Sequence, residues 1–300
     1  AGLPASPQAR AVYRRRVPGR GTLLRLCAMT LVLPGLVAVF GILSVYGRSG
    51  WLAEFCSLIG ISYTFTPYGL QGILLAHIFF NLPLASRLLL QALQQIPGEQ
   101  RQLAAQLGLR GWTHFRIVEW PWLRRQILPA GALIFMLCFA SFATVLSLGG
   151  GPRATTIELA IFQALSFDYD PGRAALLALL QMSCCLGLVL ISQRLNKAMP
   201  AGSDSLGGWR NPEDSRSARL LDGLMIMLAL LLILPPLLAV VVDGLRQGLG
   251  GVLVQPALWQ ATFTSLRIAL GAGMLSVILT VMLLWSSREL RLRQHSRWGQ

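Results

Sequence analysis

Recurring stretches of about twenty residues without charge constrain this chain more than any motif does. They run over residues 26–47, 126–152, 174–193, 223–242 and 268–287, the last preceded by 258–266. One more lies between Glu54 and Arg87, its helical part starting near Tyr68 because Thr66-Pro67 marks a start. A helix needs roughly 20 apolar residues to cross the hydrocarbon core of a bilayer. The runs are continuous rather than alternating, which favours helices over the strands of a barrel. The expected fold is therefore all-α, a polytopic transmembrane helical bundle with about six spanning helices.

Only 13% of the 300 residues are charged, about half the roughly 25% of soluble domains. Such a chain could not cover a globular surface with polar groups, so a soluble fold is excluded. The net charge of +14 raises nucleic acid as a partner, but the arginines lie between apolar runs, with no RNP, zinc or helix-turn-helix signature. Placing the segment before the first run inside and alternating puts twenty basic residues inside, within 10–25, 101–125, 194–219 and 288–297. Four lie outside: Arg48, Arg153, Arg173 and Arg246. That is a strong positive-inside bias. The basic balance is membrane topology, and no nucleic-acid partner is expected.

Arg87 and Arg267 fall within or at the ends of helices, where long side chains snorkel toward the interface. His77 and Asn81 are expected to hydrogen-bond between helices beside a Pro83 kink, with a substrate contact as the lesser alternative. Five cysteines occur (Cys27, Cys56, Cys138, Cys184 and Cys185) without C-x-x-C spacing. They read as small packing residues, and no disulfide, metal site or cofactor is expected. The opening AGLPASPQAR has neither initiator Met nor a signal-peptide pattern, as expected of a segment cut from a longer protein.

Residues 94–126 are too long for a hairpin and too patterned for disorder. Pro97 is placed to start a helix, with Glu99 in its first turn. Residues 100–107 are rich in helix formers, and Gly108 can stop that helix. A second short amphipathic stretch, 112–120, is expected to end at Pro121. Ala104, Ala105 and Gly108 are expected to form a small-residue patch that admits another surface. The pattern reads as a docking element on the cytoplasmic face. Residues 194–219, with Pro200, Gly202, Gly207, Gly208 and Pro212, read as a linker.

The docking element resembles the EAA loop of ABC importer permeases, E-A-A-x-x-x-G, nine residues, then I-x-L-P. Aligned on Gly108, the pattern places Gln102, Leu103 and Ala104 at E-A-A, Val118 at I, Trp120 at L and Pro121 at P. With Glu99 and Ala105 these are the residues expected to couple to an ATPase. Gln102 and Trp120 depart from the pattern and put in doubt any contact made by its Glu. Nearly the whole chain is similar to the thiamine-transport permeases within that family, carried by 13–20, 43–47, 67–77, 96–108 and 139–151.

The resemblance implies two fused permease halves, of which this chain holds the first and the opening of the second. Residues 1–20 would end a truncated preceding span, 21–195 form the first permease domain, 196–219 the linker and 220–300 the incomplete second domain. No G-x-x-x-x-G-K-[ST] occurs, and Gly149-Gly150-Gly151 is not followed by Lys, so the chain is not expected to be an enzyme. The resemblance implies a separate ABC ATPase, expected as a homodimer, docked on 94–126, and a periplasmic thiamine-binding protein on the opposite face. It also implies location in the bacterial inner membrane, in contact with the lipid bilayer.

Residues 149–152 and the loop through Asp168, Tyr169 and Asp170 are the outer segments open to that binding protein. Phe79, Phe80, Phe135, Phe139 and Phe142 suit an aromatic cation by chemistry and equally suit packing; substrate residues are left unassigned. The alternative is a permease of the same layout for ferric iron or another small solute. A membrane enzyme or channel would need a catalytic cluster on a helix or repeated pore-lining charges, and the sequence has neither.

Overall fold

The computed structural model describes residues 26, 29–30, 33–109, 111–149, 154–195, 216–246, 251 and 253–297. The expected segment 1–20, residues 150–153 and most of the linker (196–215) lie outside the described residues. Among those described there is no strand, and 6 helices are long and apolar enough to cross a membrane. The chain divides into two compact units, Ala1–Val241 and Val242–Gln300.

In the first unit α1 (Gly35–Tyr46) starts after Pro34 and stops at Gly47, whose backbone turns extended; α2 (Trp51–Leu58) continues the same span. The long α3 (Leu70–Gln94) is the central rod. Its outer half gives Ile73, Ala76 and Phe79 to a cluster with Val39 and Ile42 of α1. Leu82, Leu89 and Leu93 of its other half pack with Ala104, Val118 and Leu123. Then come α4 (Gly98–Gln106) and α5 (Gly111–Phe139), followed by the short α6 (Phe142–Leu148) and α7 (Ile157–Ser166). The spans α8 (Pro171–Leu195) and α9 (Arg216–Arg246), the latter as far as Val241, complete it.

Lipid tails are as apolar as leucine, so close packing rather than the hydrophobic effect holds such helices together. Gly41 shows how close: a Cβ there would stand 2.5 Å from the Pro236 carbonyl oxygen and 2.9 Å from Val240 Cγ2. The backbones of α1 and α9 therefore touch.

The expected span 126–152 is displaced. The helix starts at Gly111 and breaks after Phe139, and Pro121 does not end it. Phe115–Glu119 form a π-helical turn, in which the Trp120 N–H bonds the Phe115 oxygen. The wider turn makes room for the Pro121 ring and shifts the ladder past its missing donor. The short amphipathic helix expected at 112–120 is thus the first part of α5.

At the break between α5 and α6 a polar cluster takes up backbone groups. The Ser141 hydroxyl donates to the Cys138 oxygen at 2.8 Å, and His77 Nε2 lies 2.7 Å from Ser141 Oγ. Asn81 Nδ2 donates to the His77 oxygen at 2.9 Å and to Cys138 Sγ at 3.2 Å. His77 and Asn81 thus have the interhelical partners that the sequence suggested.

The second unit holds α10 (Pro256–Arg297). The stretches expected at 258–266 and 268–287 are one continuous helix, with Arg267 inside it. Residues 216–219, assigned to the linker by sequence, belong to α9.

Candidate functional site

The docking element is built on the ends of two spans. Pro97 caps α4 with extended backbone, ψ 141°. At the other end Gly108 has φ +63°, the left-handed conformation that glycine adopts without Cβ strain. Its N–H bonds the Ala105 oxygen at 3.1 Å, and the Leu109 N–H bonds the Ala104 oxygen at 3.0 Å. This pair of bonds is a Schellman motif, so the α4 stop expected at Gly108 is in place.

One face of α4 is keyed into the bundle. Arg101 is only 5% exposed, and its Nη2 donates to the Leu93 oxygen at 3.3 Å and the Gln94 oxygen at 3.5 Å. A guanidinium there satisfies carbonyls at the C-terminal end of α3 and complements its dipole. Ala104 is buried with Leu93, Ile96 and Val118. The Trp122 indole N–H donates to Gln100 Oε1 at 3.4 Å, tying α4 to α5. Glu119, 1% exposed, has a carboxylate oxygen 3.4 Å from His114 Nδ1.

The opposite face is open. Glu99, Gln102, Ala105 and Gly108 are exposed. Leu103 is 56% exposed, Trp112 72% and Trp120 41%, with Leu107 and Ile117 exposed beside them. Trp112 and Trp120 flank Phe115, at ring separations of 5.1 and 5.9 Å. Large exposed apolar side chains are thus gathered on this face.

The sequence-derived residues therefore fall on two surfaces. Ala104 and Val118 face inward and Pro121 is half-buried, whereas Glu99, Gln102, Leu103, Ala105, Gly108 and Trp120 are exposed. The small-residue patch is corrected: Ala104 lies against the chain's own spans, and only Ala105 and Gly108 remain open. Sequence reasoning missed Arg101, Gln100, Glu119 and His114. Arg101 shares a helical face with Ala104 at i, i+3, a signal that was available.

Residues 3–200 match the family described as binding-protein-dependent transport system inner membrane component. The chain belongs to that family. As an inner membrane component it is a multi-pass protein whose α-helical spans fit that description. It is 73% identical, over 99% of its length, to the thiamine transport system permease protein ThiP of Escherichia coli (strain K12), and covers 56% of that protein. It is 42% identical over 97% of its length to ThiP of Haemophilus influenzae, covering 54%. A probable sulfate transport system permease protein of Zygnema circumcarinatum is 27% identical over 60% of the chain and 62% of that protein. The chain spans about half the length of the curated thiamine relatives it matches.

Proposed function

We propose that this inner membrane component carries thiamine or its phosphates inward as part of a permease driven by a separate ATPase homodimer and fed by a periplasmic thiamine-binding protein. The single observation that carries the coupling is Arg101, which locks one face of α4 to the end of α3 while the other face stays open. A rigid α4 would pass movement of a docked ATPase directly to α3 and α5. Such coupling requires the partner to bind two states of the spans with different affinity. Glu99, Gln102, Leu103, Ala105, Gly108 and Trp120 would meet the ATPase; Ala104, Val118 and Pro121 would anchor the element. Thiamine as substrate is supported by the 73% identity with the Escherichia coli relative. We also assign residues 21–195 to the first permease domain, 196–219 to the linker, whose last four residues open α9, and 220–300 to the start of the second.

The test is uptake of labelled thiamine by cells that lack their own transporter and express the complete parent permease with its ATPase and binding protein. Gly108→Arg places a strained, bulky residue in the open face, whereas Gly108→Asn tolerates the left-handed backbone. Uptake abolished by Gly108→Arg at unchanged membrane level, and retained by Gly108→Asn, supports both assignments. An assembled, ATP-hydrolysing complex that takes up no thiamine moves the substrate to ferric iron or another small solute.

A further inference from the structure

A second feature runs along the inner half of α3. Phe80, Leu84, Arg87, Gln91 and Gln94 recur at alternating steps of four and three residues, which sets them on one face of the helix. Phe80 and Leu84 are half-buried, and Arg87, Gln91 and Gln94 are exposed. Their neighbours around the helix, Leu82, Pro83, Ala85, Leu89, Leu90 and Leu93, are all buried. The most buried span of the first unit thus leaves one narrow stripe open, and polar groups occupy its inner part.

That stripe does not have the composition of a surface made for lipid. In α8 only 6% of the apolar stretch is buried, and no charged residue lies between Arg173 and Arg194. Arg87 stands seven residues before the end of α3 at Gln94, about 10 Å along the axis at 1.5 Å per residue. Snorkelling, expected from the sequence, works against the geometry here. Helical side chains lean toward the N-terminus of their helix. For α3 that is the outer end, so the Arg87 side chain leaves the backbone away from the nearer, inner surface. The helix carries no Asp or Glu, and among the described residues no ion pair includes Arg87. A charged group at such depth faces protein or a water-filled path rather than lipid.

We propose that this stripe is one wall of a water-filled solute path, and that Arg87 receives an anionic group of the passing solute there. The inference rests on the thiamine reading above, in which that group is the phosphate of a thiamine ester. A guanidinium is always charged and presents a planar fork of donors that matches phosphate oxygens. Its hydrogen bonds to phosphate are of the charge-assisted, stronger kind. Gln91, one turn further on the same stripe, adds an amide donor. Free thiamine, a cation, gains nothing from Arg87. The residue therefore sets which charge form of the solute passes.

The complete parent permease, reconstituted in lipid vesicles with its ATPase and binding protein, provides the test, with labelled thiamine and labelled thiamine monophosphate supplied in turn. Arg87→Gln should lower monophosphate transport about ten-fold relative to thiamine transport, the loss of a hydrogen bond to a charged group. Arg87→Lys keeps the charge without the fork and should recover part of it. The path itself is read by Gln91→Cys, which a charged, membrane-impermeant thiol reagent should modify during turnover. Leu180→Cys, on the apolar α8, should stay inert under the same conditions. An unchanged ratio of the two solutes in Arg87→Gln overturns the inference, as does equal loss of both, which a merely structural role would give. Gln91→Cys as inert as Leu180→Cys also overturns it, and would set the stripe against lipid or the rest of the permease. So does a parental complex that carries thiamine but not its monophosphate. A parental complex that turns over ATP but carries neither overturns instead the substrate reading on which the inference rests.

Discussion

The ring Nε2 of His77 lies 2.7 Å from the Ser141 hydroxyl oxygen, across 64 residues of sequence. With the Ser141 hydroxyl donating to the Cys138 carbonyl at 2.8 Å, its oxygen can accept from the His77 tautomer protonated on Nε2. The bond thus ties the middle of the outer half of α3 to the point where α5 ends and α6 begins.

Ser141→Ala removes this acceptor and the cap on Cys138 together. Polar contacts between membrane helices average about 0.6 kcal/mol and reach about 1.7 in double-mutant cycles, whereas an orphaned buried donor costs about 1–3 kcal/mol. The expected loss is about 1 kcal/mol. It is measured by unfolding of the complete permease in mild detergent, with His77→Phe completing the cycle. Strict additivity of the two substitutions would rule out the bond as a stabilising contact.

Arg101→Leu should destabilise the docking element by about 2 kcal/mol, because hydrogen bonds to charged groups are worth about 1.5–3 kcal/mol and the α3 carbonyls lose their donor. Arg101→Lys should recover only part, since a point ammonium cannot span the Leu93 and Gln94 oxygens as the planar fork does. Amide exchange in 98–109 reads the effect. Exchange that rises no faster in Arg101→Leu than in the parent would contradict the anchoring role.

Gly41→Ala should cost about 1–3 kcal/mol, the range for overpacking, because the new Cβ meets the Pro236 carbonyl at 2.5 Å and no rotamer relieves a backbone contact. Gly131→Ala, on α5 with open space at its Cβ, is the control and should be neutral or slightly stabilising, since alanine is the better helix former. Thermal stability in detergent should rank the two variants in that order; equal values would mean that α1 and α9 do not pack at Gly41.

The spans were legible because bilayer thickness and arginine placement act on long windows of sequence. Their ends were not. Counting charges made residues 126–152 one span, whereas Arg124 and Arg125 are exposed at a helix end where long side chains reach water, and the helix runs back to Gly111. Pro121 misled for a different reason. A proline ends a regular helix, but the π turn before it depends on backbone geometry that no residue in 115–119 announces. In the docking element, the start at Pro97 and the stop at Gly108 were legible because cap chemistry is local. Which face of α4 is buried was not read, although Arg101 and Ala104 share it. The partners of His77 and Gln100 come from distant parts of the chain, 64 and 22 residues away, and chain periodicity carries no such information.

Glu158 gives a pH signature with a defined sign. Burial raises its carboxyl, with the Phe142 N–H opposing, so the folded protein holds this proton to higher pH than the unfolded chain does. Below the ordinary carboxyl pKa both states are protonated and the group is silent. Between that value and the raised one the folded state binds more protons, so its stability falls as pH rises, and above both the loss is complete. Glu158→Gln cannot titrate and should lose this slope. Its melting temperature relative to the parent should therefore climb from about pH 4 upward and level off once Glu158 is charged in the fold. A difference that stays constant across that range would mean that Glu158 titrates alike folded and unfolded. A difference that shrinks with pH would mean that a cationic group faces the carboxylate in the native state.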